Sequence, residues 1–104
     1  MKLGSLSVDQ LKLREICKQF GVREMAVFGS VLRPDFDSSS DVDLLVRFEP
    51  SARFRMLSIA ELEEAIGELL TRPVDVLDWD AVEEDPNWVM RRSILESARR
   101  LDVA

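Results

Sequence analysis

An α+β fold is predicted by the order helix, strand, strand, helix, strand, helix along the chain: a small mixed β-sheet covered by helices on one face, an α/β sandwich. Three observations carry that expectation. A short continuous apolar run at 25–28 reads as a buried strand, and the largely apolar stretch 42–48 as the next one. Val74-Asp75-Val76 alternates apolar and acidic side chains, and residues 74–78 read as a third, half-buried strand. Between and around these runs, apolar residues recur at helical spacing, bounded by Gly, Pro and polar clusters. The pattern does not give the strand directions. A chain of 104 residues is expected to form one domain, residues 1–104, with little room for a second function.

The first helix is expected from a capping-box pattern, Ser7 with Gln10, and from Leu6 and Leu11 at the spacing of a hydrophobic staple. Leu13, Ile16, Cys17 and Phe20 supply its apolar face, and Gly21 can close it in the left-handed conformation. Met25-Ala26-Val27-Phe28 then delivers Gly29-Ser30 at a strand end. Val31 to Arg33 are expected to open a brief helical turn that Pro34 limits, with backbone N–H groups toward an anion. A polar loop, 35–40, leads into the strand Val42–Phe48. The second helix is expected over about 54–70, with Ile59, Leu62, Ala65, Ile66 and Leu69 on one face. Arg72-Pro73 interrupts before the strand Val74–Asp78. Asn87 can cap a last helix, whose stripe is Met90, Ile94, Ala98 and Leu101.

Composition narrows the chemistry. With 46% hydrophobic and 33% charged residues the chain suits a soluble globular protein. No apolar stretch approaches the roughly 20 residues of a membrane span, and the N-terminus has no signal-peptide pattern, so a cytoplasmic location is expected. The single cysteine, Cys17, excludes an internal disulfide and reads as a buried structural thiol. There is no histidine, which removes serine–histidine and cysteine–histidine catalysis and imidazole metal sites. Net charge of −6 argues against broad nucleic-acid binding. The charge is uneven: residues 87–104 carry four basic and two acidic side chains. Arg91, Arg92, Arg99 and Arg100 there either contact a partner or decorate a solvated helix end.

The chemistry concentrates in residues 28–46. Gly29 can bring backbone close to a phosphate, and Ser30 adds a hydroxyl and a free N–H at a turn. Asp41 and Asp43 lie one residue apart, so on a strand both carboxylates leave one face, about 6.5 Å apart along the chain. Such a pair suits hard divalent cations, and without imidazole the choice falls on Mg²⁺ or Mn²⁺. Clustered carboxylates lacking a cation should repel and titrate together. Arg33 either reaches the phosphates or sits on the surface. Asp35 and Asp37 read as solvated loop residues, and Asp78 and Asp80 as outside the site. Trp79 and Trp88 are expected to pack in the core or an interface rather than stack on a base.

Gly29-Ser30, the ten residues 31–40 and Asp41-Val42-Asp43 resemble, without a gap, the signature of the DNA polymerase β-like nucleotidyltransferase superfamily. The short length, Arg33 and the wording Ser-Asp-Val-Asp-Leu-Leu-Val are most similar to its minimal nucleotidyltransferase (MNT) domain antitoxins. The resemblance spans roughly residues 8–101 and implies the mixed-sheet nucleotidyltransferase core. It implies Gly29, Ser30 and Arg33 as nucleotide-binding residues, and Asp41, Asp43 and Asp75 as catalytic ligands of two Mg²⁺ ions. Asp75 occupies the position of the family's third carboxylate, with Val74 and Val76 turned to the core. It further implies transfer of AMP from ATP to a tyrosine of a partner HEPN-type RNase toxin. This chain has no tyrosine of its own. Two other functions are weighed: a binding antitoxin acting by stoichiometric contact, and a nucleotidyltransferase acting on a small-molecule hydroxyl. The latter normally requires a further substrate-binding domain.

Overall fold

Apolar runs too dense for one buried face shape this molecule. In the computed structural model, which describes residues 1–37, 39–51 and 57–103, the main sheet runs β5-β4-β3-β6. Ahead of it, β1 (Lys2–Leu3) and β2 (Leu6–Ser7) form a small hairpin. Strand β3 (Val22–Phe28) lies antiparallel to β4 (Val42–Phe48), which lies parallel to β5 (Val74–Asp78). The sheet is therefore mixed, as expected, and both strands read from 42–48 and 74–78 have the predicted bounds.

Alternation along the strands makes two cores. Met25, Val27, Val42, Leu44, Val46 and Val76 face α1 (Gln10–Phe20) and α2 (Leu57–Leu70), which contribute Leu13, Cys17, Leu62 and Ile66. Ala26 and Leu45 face the other way, against Trp79 and Val82 of a short helix, α3 (Trp79–Glu83). Helices thus cover both faces rather than one. The reason is local: Leu44-Leu45-Val46 is fully buried, and a strand apolar on both sides needs cover on both. Helix α4 (Trp88–Ser97) lies over the second face through Ile94 and Leu95 but has no fully buried residue.

The start of α1 corrects the expected capping box. Asp9 is the N-cap, its carboxylate accepting from the Lys12 N–H at 3.2 Å. Ser7 is instead extended in the hairpin, where its hydroxyl accepts from Lys2 Nζ at 2.7 Å. The staple does not form either, because Leu11 is 69% exposed. Gly21 closes the helix at φ 69°, as expected. At the other end of the chain Asn87 caps α4, accepting from the Met90 N–H. The helix ends sooner than its apolar spacing suggests. Ala98 turns extended, and β6 (Arg99–Leu101) pairs with Met25–Val27, satisfying the free edge of β3. The stripe from Met90 to Leu101 is thus shared between a helix and a strand. Of the helix expected over 54–70, residues 54–56 lie outside the described residues. Among the described residues no helix is long and apolar enough to cross a membrane.

Candidate active site

The sheet places the singled-out residues in a row across one end. Asp41 immediately precedes β4, and Asp43 is its second residue. The register sets Asp43 opposite Phe28 of β3 and alongside Asp75 of β5. Asp43 shares the second face of β4 with Leu45 and Arg47, because side chains alternate. Val74 and Val76 are buried, which leaves Asp75 exposed beside Asp43.

From Phe28 the chain enters a 3₁₀ turn, Gly29–Leu32, earlier and tighter than the turn expected at 31–33. Val31 anchors it in the core, and Arg33 N–H donates to the Ser30 carbonyl at 3.0 Å. Gly29 has φ 78°, and a Cβ built there would lie 2.5 Å from Asp43 Oδ2. Backbone and carboxylate therefore stand in contact, and a side chain at Gly29 would have to displace the Asp43 carboxylate as well as hold a left-handed φ. Ser30 Oγ donates to the Asp41 carbonyl at 3.1 Å, tying the turn to the entry of β4. Gly29, Ser30, Asp41 and Asp43 are thus brought together. Arg33 is exposed but close enough that its charge acts on Asp43.

Burial raises the Asp43 pKa from its ordinary value, and the charges of Asp75 and Asp41 add to the rise. Arg33 opposes it. The donor set is all oxygen and its charges repel, which suits a hard divalent cation. As the side chains stand, no three carboxylates among the described residues already converge on one cation position. The backbone positions are neighbouring, so closing the set falls to side-chain rotation.

One residue that sequence reasoning passed over fixes the approach to this row. Arg72 Nη1 donates to the carbonyls of Asp37 and Ser40, at 3.0 and 3.2 Å, and its guanidinium lies 4.6 Å from the Phe36 ring centroid. The adjacent Pro73 carbonyl accepts from Val42 N–H at 3.0 Å. Arg72-Pro73 therefore grips the chain on both sides of Asp41. Only the position of Arg72 just ahead of a strand was visible in sequence, and its loop partners lie more than 30 residues away. Asp37 accepts from the Ser39 N–H and the Ser39 and Ser40 hydroxyls, which lowers its pKa and folds the loop on itself.

Residues set aside earlier remain apart from the row. Asp78 caps α3, accepting from the Asp80 N–H. Asp80 binds Arg47, which also holds Glu24 and Glu83 and lies over the Trp79 ring at 4.6 Å. Trp79 is buried as expected, whereas Trp88 is 60% exposed. Arg92 pairs with Glu96, and Arg100 approaches Glu24, so Arg100 decorates a strand and not a helix end. A cleft of about 700 Å³ opens beside Gly29 and Arg33, between the 3₁₀ turn and the C-terminal half of α4.

A family model described as the nucleotidyltransferase domain matches residues 11–101. The protein adenylyltransferase MntA of Thermococcus cleftensis is 46% identical over 66 residues, covering 62% of this chain and 63% of that protein. The chain thus spans under two thirds of that relative's length. A solved structure of a provisionally assigned minimal nucleotidyltransferase superposes with a TM-score of 0.67, at 30% identity, over 88% of each chain. A toxin–antitoxin crystal structure with AMP-PNP superposes with a TM-score of 0.66 over 89% of this chain and 72% of that one. Identity there is 16%, a likeness of fold alone.

Proposed function

This chain belongs to the nucleotidyltransferase domain family, in its minimal form, and from that membership we propose that it is an adenylyltransferase antitoxin. Residues 1–104 would form a single such domain acting in the cytoplasm, moving AMP from ATP to a tyrosine hydroxyl of a HEPN-type RNase toxin. The observation that carries the reading is the contact of Gly29 with the Asp43 carboxylate, in a row with Asp75. A phosphate-approaching backbone and paired carboxylates are what displacement at phosphorus requires.

In the reaction the acceptor oxygen bonds to the α-phosphorus, the bond from that phosphorus to the bridging oxygen breaks, and pyrophosphate leaves with the electron pair. Gly29 and Ser30 hold the phosphates, and Arg33 offsets their charge. Asp41, Asp43 and Asp75 would hold Mg²⁺, two ions in all, or Mn²⁺ in its place. Bound cations would supply charge neutralisation at the entering and leaving oxygens. Asp75, exposed at the outer strand, is open to the acceptor and can receive its proton. A tyrosine acceptor would lie on another molecule, since the chain holds no tyrosine. Trp88, Val89 and Met90, exposed together on α4, offer apolar surface of the kind a protein partner covers.

The test uses the chain with its toxin partner, Mg²⁺, and ATP labelled at either the α- or the γ-phosphate. The expected result is toxin labelled from the α-phosphate only, and no label with Asp41→Asn/Asp43→Asn. A folded complex that transfers nothing would sink the catalytic reading and leave neutralisation by contact.

A further inference from the structure

The hairpin ahead of α1 leans on the turn that carries the site. Strands β1 and β2 pair through Leu3 and Leu6, so Gly4 and Ser5 form a two-residue loop. Gly4 has φ 62° whereas Ser5 keeps a negative φ, the pattern of a hairpin turn with glycine at its first central position. A Cβ at Gly4 would run into the Val31 carbonyl and lie 3.7 Å from Leu32 Cα. We propose that this hairpin braces the site and that Gly4 is a positioning residue: it sets the 3₁₀ turn, and through it the presentation of Gly29 and Ser30 to the nucleotide. The proposal rests on the nucleotidyl-transfer reading above and adds an element to it.

A hairpin with two residues in each strand does not hold itself together in water. Its order comes from what it packs on. Leu3 and Val8 are buried in the same core cluster as Val31, and Leu6 and Leu32 pack against that cluster. Val8 N–H donates to the Met1 carbonyl at 2.9 Å, which closes the open end of the hairpin. The tip is left against the backbone of Val31 and Leu32. Packed contacts of this kind act in both directions, so whatever displaces the tip displaces Val31, the residue after Ser30.

The turn is of a kind that needs support. It is a single 3₁₀ turn of four residues, and Gly29 at its head has φ 78° and no side chain to lock it. Ser30 Oγ ties it to the entry of β4 through the Asp41 carbonyl. Gly4 abuts it two residues further on, at the Val31 carbonyl. Held at both points, the Ser30–Leu32 backbone cannot swing away from Asp43 without lifting the hairpin from its core seat. The hairpin precedes residues 11–101, over which the nucleotidyltransferase domain is matched, so the shared pattern does not include this brace.

Gly4→Asn tests the contact, because asparagine accepts a positive φ in hairpin turns but brings a Cβ to the Val31 carbonyl. The readouts are MgATP affinity by titration calorimetry and the backbone amide resonances of the nucleotide-free chain. MgATP affinity should fall about tenfold, and the amides of Ser30, Val31 and Leu32 should move while those of β5 stay. Ile66→Val, a core change on α2 that costs stability on another element, should leave both readouts at the parent values. Leu3→Val loosens the hairpin with no new atom at the turn. It should move the same amides by less, and it decides the matter if Gly4→Asn does not fold. A folded Gly4→Asn with parental turn amides and parental MgATP affinity would overturn the brace, and so would Ile66→Val reproducing its effect. A parent chain that binds no MgATP would overturn the nucleotidyl-transfer reading, and the amide shifts would then judge the contact by themselves.

Discussion

Asp43 carries the cost of this site. It is half-buried, and its charge is disfavoured first by burial and then by Asp75 and Asp41. A carboxyl with a raised folded pKa contributes stability that is full below the unfolded value of about 3.9 and lost as pH rises through the folded one. At neutral pH the ionised group therefore works against folding. Asp43→Asn should raise the melting temperature of the cation-free chain while abolishing label transfer, and added Mg²⁺ should stabilise the parent more than the variant. Gly29 lies on the other side of the same contact. Gly29→Ala must both hold φ 78° and place a Cβ 2.5 Å from Asp43 Oδ2. A stability loss of about 1–3 kcal/mol is expected, measured by urea denaturation, with transfer falling further than stability. At this scale the sequence was informative: the Gly29-Ser30 turn and the Asp41–Asp43 pair were visible from residue type and spacing. Their direct contact was not, since it depends on the antiparallel pairing of Phe28 with Asp43.

Elements are held to the site by arginines whose partners are remote in sequence. Arg72 reaches from the α2–β5 connection to the loop before β4. Arg72→Met keeps the aliphatic stem but removes both carbonyl contacts. It should cost about 1–3 kcal/mol and speed amide exchange at Ser40–Val42 relative to the rest of β4. Transfer should drop about tenfold, the scale of one misplaced contact, and Arg72→Lys should restore only part of it, because an ammonium can donate to carbonyls but offers no planar guanidinium to lie on Phe36. Arg47 does the corresponding work for α3, joining β4 to Asp80 and Glu83 beneath Trp79. Strands β4 and β5 and the closure of α1 were legible because local signals agreed there. The hairpin, α3 and β6 were not. Two-residue strands carry no period, α3 is only five residues long, and the Met90–Leu101 spacing reads equally well as one helix.

The whole molecule is a sheet with one face sealed by α1 and α2 and the other only partly covered by α3 and α4. Cys17 reports on the sealed side. Burial pushes its thiol up to about 11. Stability from the protonated thiol is complete below the unfolded pKa, about 8.5, and is lost as pH climbs through the folded value. Below pH 8 the native chain should therefore resist a thiol reagent until denaturant is added, and rapid labelling would contradict the packed first core. The partly covered side holds the acidic row, the cleft and the exposed residues of α4, so chemistry and accessible apolar surface share one face. What the sequence determined by itself was the kind of fold and the identity of the reactive groups, because apolar period, turn residues and a gapped motif are local properties of the chain. What only the tertiary structure decided was the order of the strands, the second layer of helices, and the grip of Arg72 on the loop. Those depend on residues far apart in sequence meeting in space, and no local pattern records which strand edge a distant segment will satisfy.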